Sequence, residues 1–294
     1  MTTVEKPPAY RLGCPVWADS AWVGSLYSTK DRRRWLGEYS SVFGTVEGNS
    51  TFYAMPTLDV VRRWAEEARP GFRFALKTPA AITHERQVAG AGSLTAEWIE
   101  RLRLLQGADL LGPTLLQLPP YFAGTQFSDL VRFVEEWPDD LSLAVEPRHD
   151  DYFDGAACES EFDAMLRGHG VDRALFDSRA LFHASPDDDF ERASQGRKPN
   201  PPRRVTVTGR RPFVRFVGRN DRRLAARWIA EWAGTIDDWI GQGLTPYVFC
   251  QAPNDAHAPA FCEELHEAVR NHRGDLPPLA DWPGRVGLKQ RELF

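Results

Sequence analysis

Apolar residues fall along the chain in two alternating arrangements. Short runs rich in Val, Ile, Leu and Phe, each closed by a turn, give way to longer stretches in which apolar residues recur three or four positions apart. The first arrangement has the length and composition of a strand, the second the period of a helix with one buried face. The pattern predicts strands over residues 11–14, 44–49, 72–77, 114–117, 142–146, 173–176, 213–217 and 246–250. It predicts helices over 58–68, 96–108, 127–136, 161–168, 222–241 and 258–272, preceded by a first helix over 32–39. Thr57 and Thr95 stand where N-caps belong, Thr95 with Trp98 instead of Glu at the capping-box position.

Eight strand-and-helix repeats in order, without a break in composition between the halves, fit an α/β fold consisting of a single (β/α)8 TIM-type barrel over residues 10–275. Residues 1–9 read as a loose tail and 276–294 as a C-terminal extension. The competing architecture, a doubly wound sheet, calls for a glycine-rich phosphate loop after its first strand. Gly13-Cys14-Pro15-Val16-Trp17 is not such a loop, so no nucleotide-cofactor motif is present. The sixth crossover breaks the rhythm. Residues 178–211 hold Asp187-Asp188-Asp189, then seven basic residues and three prolines around Asn200, with little apolar periodicity. They read as an irregular long loop, a disordered excursion in preference to a lid over a site.

In such a barrel the C-terminal ends of the strands face the active site, so polar residues there carry information. Strand two ends in Glu47-Gly48-Asn49-Ser50-Thr51-Phe52-Tyr53, strand three in Lys77 and strand four in Gln117. Strand five ends in Glu146-Pro147-Arg148-His149, strand six in Asp177 and strand eight in Gln251. Side chains two apart on a strand share a face, so Glu47 with Asn49, and Glu146 with Arg148, can converge with Lys77 on one rim. Lys77 has three available roles: an inert ion-pair partner of Glu47 or Glu146, a ligand for phosphate or carboxylate, or a Schiff-base amine. Anion binding is preferred to the Schiff base, because the sequence shows no apolar enclosure for the amine. Glu146 emerges from a buried run and reads as a general acid or base, or as the ion-pair partner of Arg148. His84, within Ile82-Thr83-His84-Glu85, and His149 are proton-shuttle candidates set against plain solvated side chains.

Composition narrows the classes. With 294 residues, 42% hydrophobic and 26% charged, the chain is neither disordered nor fibrous. No apolar stretch reaches the roughly 20 residues of a membrane span. The N-terminus lacks a basic segment followed by an apolar one, so the cytoplasm is expected and no membrane partner is. Four scattered cysteines, Cys14, Cys158, Cys250 and Cys262, predict reduced thiols. The 36 basic residues include only five lysines. Lys6, Lys30, Lys198 and Lys289 lie in polar surroundings, whereas Lys77 follows the apolar run 72–76. Glu47, Glu146, Asp177, His84 and His149 are of types that hold divalent cations. No H-x-H, H-x-x-x-H or D-x-D falls at a strand end, however, and an Arg and a Lys on the same rim repel a multi-cation cluster. No metal ligands are assigned, and a divalent metal is left open as a cofactor. Trp17, Trp22, Tyr27, Phe52, Tyr53 and Tyr121, in the loops after strands one, two and four, form either barrel-top core or a stacking surface.

Several runs, taken in order, resemble the domain-of-unknown-function 72 family, TIM-barrel proteins without an established activity. They are Val46-Glu47 with Asn49-Ser50-Thr51-Phe52-Tyr53, Pro56, Trp64, Phe72-Arg73-Phe74-Ala75 with Lys77, Ile82-Thr83-His84 and Leu116-Gln117-Leu118-Pro119-Pro120. Val145-Glu146 with Arg148-His149, and Val214-Arg215-Phe216 with Gly218-Arg219, continue the series. The resemblance implies importance for Glu47, Asn49, Thr51, Tyr53, Lys77, His84, Gln117, Glu146, Arg148, Arg215 and Arg219. It breaks at two places. Val217 stands where the family usually has His, and Phe249-Cys250-Gln251 stands where it has F-N-N.

The expected function is that of an enzyme acting on a small anionic or polyhydroxylated substrate by acid/base chemistry. Lys77, Glu146, Glu47 and His84 are its candidate catalytic groups, with Asn49, Thr51, Tyr53, Gln117, Arg148, Arg215 and Arg219 binding substrate. Hydrolysis, isomerisation and lyase chemistry all fit. Two alternatives compete with this reading. One is a nucleic-acid-binding or processing barrel, similar in architecture to xylose-isomerase-like metal barrels, that uses the arginines of 192–211; a net charge of −5 disfavours it. The other is a ligand-binding protein without catalysis.

Overall fold

Each predicted strand forms in the computed structural model, which describes residues 8–283. The strands are Arg11–Gly13 (β1), Thr45–Gly48 (β2), Arg73–Leu76 (β3), Thr114–Gln117 (β4), Leu143–Glu146 (β5), Asp172–Asp177 (β6), Phe213–Val217 (β7) and Tyr247–Gln251 (β8). Helices lie between and after them at Trp35–Ser40 (α1), Ser50–Tyr53 (α2), Leu58–Glu67 (α3), Gly92–Gly107 (α4) and Phe127–Glu136 (α5). Ala157–Gly168 (α6), Arg179–Phe182 (α7), Asp189–Gln195 (α8), Ala226–Gly241 (α9) and Ala258–His272 (α10) complete the series. The expected tail 1–9 and extension 276–294 fall partly outside the described residues.

The strands in the order β1-β8-β7-β6-β5-β4 make a curled, parallel six-stranded sheet, and β2 and β3 make a parallel pair. Hydrogen bonds run from the pair to both edges of the larger sheet. The Glu47 amide donates to the Cys14 carbonyl at 3.1 Å, and bridges join Phe74 to Leu111 and Lys77 to Leu115.

Alternation along the strands sorts their side chains. Val46, Phe74, Leu116, Val145, Leu175, Val214 and Val248 belong to the main core shared with the helices. Ala75, Leu115, Ala144, Ala174, Phe213, Tyr247 and Phe249 form a separate cluster on the concave face. Two residues beyond members of that cluster, on the same side of each strand, come Lys77, Gln117, Glu146, Phe176, Arg215 and Gln251. The polar site is therefore the next layer above an apolar one.

Two expectations are corrected. The Thr57 side chain caps α3 by accepting from the Val60 amide, but Thr95 is no cap, because α4 begins at Gly92 and the Thr95 amide donates to the Ala91 carbonyl at 2.8 Å. Left-handed backbone at Gln87, Val88 and Gly90 turns the chain sharply enough for the helix to start earlier. The sixth crossover is not a disordered excursion. It contains α7 and α8, with Glu191 and Ser194 buried, and its irregular remainder is tied down by a hydrogen bond from Ser178 Oγ to the Pro199 carbonyl at 2.7 Å.

All four cysteines are free thiols. No helix among the described residues is long and apolar enough to cross a membrane.

Candidate functional site

Arg215, on β7, lies at the centre of the concave face with its guanidinium between two carboxylates from opposite sides. Its Nε and Nη2 each donate to Glu47 at 2.7 Å, and its Nη1 donates to Glu146 Oε2 at 2.8 Å. Arg148 Nε takes the other Glu146 oxygen, and Arg148 Nη2 donates to Gln117 Oε1 at 3.1 Å. Asn49 Nδ2 donates to Glu47 Oε1 at 2.6 Å. Each carboxylate oxygen therefore already has a donor. Both glutamates are fully buried. Burial pushes the Glu146 carboxyl up, but Arg148 and Arg215 outweigh it and hold the group below its usual range. The glutamates raise the basicity of Arg215 in turn, against the effect of burial. A proton-moving role expected of Glu146 or Glu47 meets carboxylates whose oxygens are all held by donors.

Lys77 stands just beyond β3 beside this cluster and takes no part in it. Only 7% of the residue is exposed, and no carboxylate pairs with its ammonium among the described residues. Its Nζ lies 3.7 Å from the centre of the Phe52 ring. Burial, then the neighbouring Arg215, pulls its pKa down to about 7 against the opposing pull of Glu146 and Glu47. His84 presents its ring edge-on to the same Phe52 at 4.8 Å. Burial and the nearby Lys77 and Arg148 lower its pKa to about 4, so its imidazole is neutral at pH 7.

A second lysine arrives from an unexpected direction. Lys198, in the irregular part of the sixth crossover, donates to Gln251 Oε1 at 2.7 Å. Burial and Arg215 bring its pKa to about 8. The Gln251 amide nitrogen is buried without an acceptor among the described residues. Asp255, after β8, is raised by burial to about 6, with Lys198 opposing and Asp19 and Glu47 reinforcing the rise. The sequence offered no sign of Lys198, because its neighbours are polar and it lies 19 positions before Val217, the last residue of β7.

Other candidates lie apart from the cluster. Arg219 is held by Glu191 and Asp187, with Nη2 also donating to the Ser185 carbonyl at 2.9 Å. Thr51 is buried and donates to the Gly48 carbonyl at 2.8 Å, so it ties α2 to the strand ends. Tyr53 is 84% exposed and touches Phe52 edge-on. Asp177 is engaged by Arg179 and by the indole of Trp232, and His149 Nδ1 accepts from the Asp151 amide. Trp22 and Tyr27 are core residues and Trp17 packs against the core beside Trp64 and Phe74, leaving Phe52, Tyr53 and Tyr121 at the rim. Several crossover arginines face carboxylates within the molecule: Arg192 meets Asp189, Arg203 meets Glu231 and Arg204 meets Glu159. No group of three or more His, Cys, Asp or Glu among the described residues is placed to hold a metal ion.

The chain matches the family described as "Protein of unknown function DUF72" over residues 11–284. It belongs to that family. The UPF0759 protein YecE of Escherichia coli strain K12 is 32% identical over 277 residues, covering 94% of this chain and 98% of that protein. A DUF72 family protein of Enterococcus faecalis V583 superposes with a TM-score of 0.67 at 18% identity, over 92% of this chain and 99% of that one. A second, from Thermotoga maritima MSB8, superposes at 0.63 with 22% identity, over 90% and 99%. These two structures speak to the fold alone.

Within this DUF72 protein the two departures from the family pattern acquire a location. Gln251 keeps an amide on the concave face where the pattern has the last Asn of F-N-N. Val217 packs against Phe176 and Leu181, so this position contributes no proton-carrying group.

Proposed function

We propose that this DUF72 protein is an enzyme for a small substrate bearing a phosphate or carboxylate, and that the two sheets close one eight-stranded (β/α)8 barrel around it. The observation that carries the reading is Lys77, a buried amine with no carboxylate partner among the described residues, at the edge of a saturated ion cluster. Four cations, Arg148, Arg215, Lys77 and Lys198, face two glutamates whose oxygens are all occupied. Such a site favours a ligand that brings negative charge. The buried amide nitrogen of Gln251 supports an oxygen-bearing ligand, since an unmet donor is costly unless something accepts from it. The bridges from β3 toward β4 and the bond from β2 to β1 support closure.

In this reading Glu47 and Glu146 position the guanidinium groups. Proton transfer falls to Lys77, whose pKa of about 7 suits it to both directions, with His84 alongside. Sulfate, whose charge is constant near neutrality, tests the anion site. It raises the melting temperature most at pH 6 and progressively less toward pH 9, as Lys77 and then Lys198 lose their protons. Lys77→Gln and Lys198→Gln each weaken apparent sulfate affinity by about tenfold, the scale of one charge-assisted hydrogen bond. A panel of phosphorylated and carboxylated metabolites followed by mass spectrometry yields a product with the natural protein and none with Lys77→Gln. Absence of both the sulfate effect and any product rules the reading out.

A further inference from the structure

Two lysines of depressed basicity share the site, and their nitrogens differ in what they touch. Lys198 Nζ is a donor to Gln251 Oε1 at 2.7 Å, so one of its hydrogens is already engaged. Lys77 Nζ meets the face of Phe52 and has no hydrogen-bond acceptor among the described residues. The carboxylates that would otherwise clamp it are filled by Arg215, Arg148 and Asn49. Its backbone is fixed on both sides, since the Lys77 amide donates to the Gly48 carbonyl at 3.3 Å and Lys77 is bridged to Leu115. A rigid, shielded and unclamped amine beside a guanidinium has the environment in which lysine becomes a nucleophile. The apolar enclosure missing from the sequence is supplied by Phe52, from the segment after β2.

We propose that Lys77 acts covalently: its Nζ condenses with the carbonyl carbon of an aldehyde or keto group on the anionic substrate, forming an iminium. This rests on the anionic-substrate reading above and adds the carbonyl class to it. His84 stays neutral nearby, so it does not oppose the cation that forms. The Thr83 hydroxyl donates to the Pro79 carbonyl at 3.3 Å, so its oxygen accepts Nδ1–H of His84 at 2.8 Å and leaves Nε2 with a free lone pair. The Lys77 ammonium loses one proton to water, as its pKa of about 7 allows, and the amine lone pair forms the C–N bond as the carbonyl π pair moves to oxygen. A proton taken back from water, together with the second proton on nitrogen, lets that oxygen leave as water. One positive charge enters as ammonium and leaves as iminium, so no other reactant is consumed. Arg148 and Arg215 hold the substrate's anionic group nearby.

Reductive trapping tests the step on the unaltered protein. Pyruvate and glyceraldehyde 3-phosphate serve as probes, cyanoborohydride as the reductant, and peptide mass mapping as the readout. At pH 7 the adduct accumulates on Lys77 about fivefold faster than on Lys198, as expected from its larger fraction of free amine. Trace acetylation at Lys77 levels off above about pH 7, its titration set by burial and by Arg215, Glu146, Glu47 and Arg148, while that at Lys198 continues to climb to about pH 8. Lys77→Arg keeps the cation and the sulfate effect and loses the adduct. Sulfate stabilisation without an adduct at Lys77 overturns the covalent step and leaves the anion site standing. Adducts spread evenly over the lysines, or concentrated on Lys198, overturn it as well.

Discussion

Arg215 joins two carboxylates that would otherwise repel one another across a buried face. Replacing it with Met removes the bridge and leaves Glu47 and Glu146 uncompensated, a loss of about 3–5 kcal/mol. Urea denaturation measures it, and a change within error of zero would mean that the cluster relaxes without its centre. Arg215→Lys recovers only a fraction, because an ammonium cannot reproduce a fork that meets Glu47 through two nitrogens and Glu146 through a third. At this scale the sequence was informative about position. Glu47, Lys77, Gln117 and Glu146 were chosen as strand-end residues; the structure sets Lys77, Gln117 and Glu146 in one layer, which Glu47 meets through Arg215. Their roles were not legible, since an ionised, clamped Glu146 and a poised general base have the same sequence. What separates them is which groups donate to the carboxylate.

The sixth crossover shows how an element can escape periodicity. Its helices α7 and α8 are of four and seven residues, too short to produce a visible apolar stripe. The segment is ordered by polar contacts instead. Arg219, buried after β7, is gripped by Glu191 of α8 and by Asp187, while the Asp188 side chain accepts from the Glu191 amide to cap α8. Glu191→Gln breaks the central pair and destabilises the segment by about 3 kcal/mol. Hydrogen exchange should then accelerate across residues 184–200 while β7 and β8 stay protected. Because Lys198 follows α8 and reaches Gln251, the same substitution lowers the sulfate effect without touching the ion cluster. Equal protection in both proteins would show that the segment is held by something other than this pair.

At the scale of the whole molecule, the join between the six-stranded sheet and the β2–β3 pair depends on one residue lacking a side chain. A Cβ on Gly13 would fall onto the backbone oxygen of Thr45, where β1 and β2 approach. Gly13→Ala forces those strands apart and costs roughly 3 kcal/mol, read as a lowered denaturation midpoint with faster exchange at the Glu47 amide. An unchanged midpoint would indicate a looser seam. The sequence by itself determined the strand positions, the order of strands and helices, and the level of the polar layer. Those follow from local periods of two and 3.6 residues, which need no knowledge of distant neighbours. Tertiary structure alone decided that Arg215 neutralises both glutamates, that Phe52 encloses Lys77 and that Lys198 enters from the far side of a crossover. Charge state and solvent access depend on groups brought together from distant parts of the chain, and no local pattern records them.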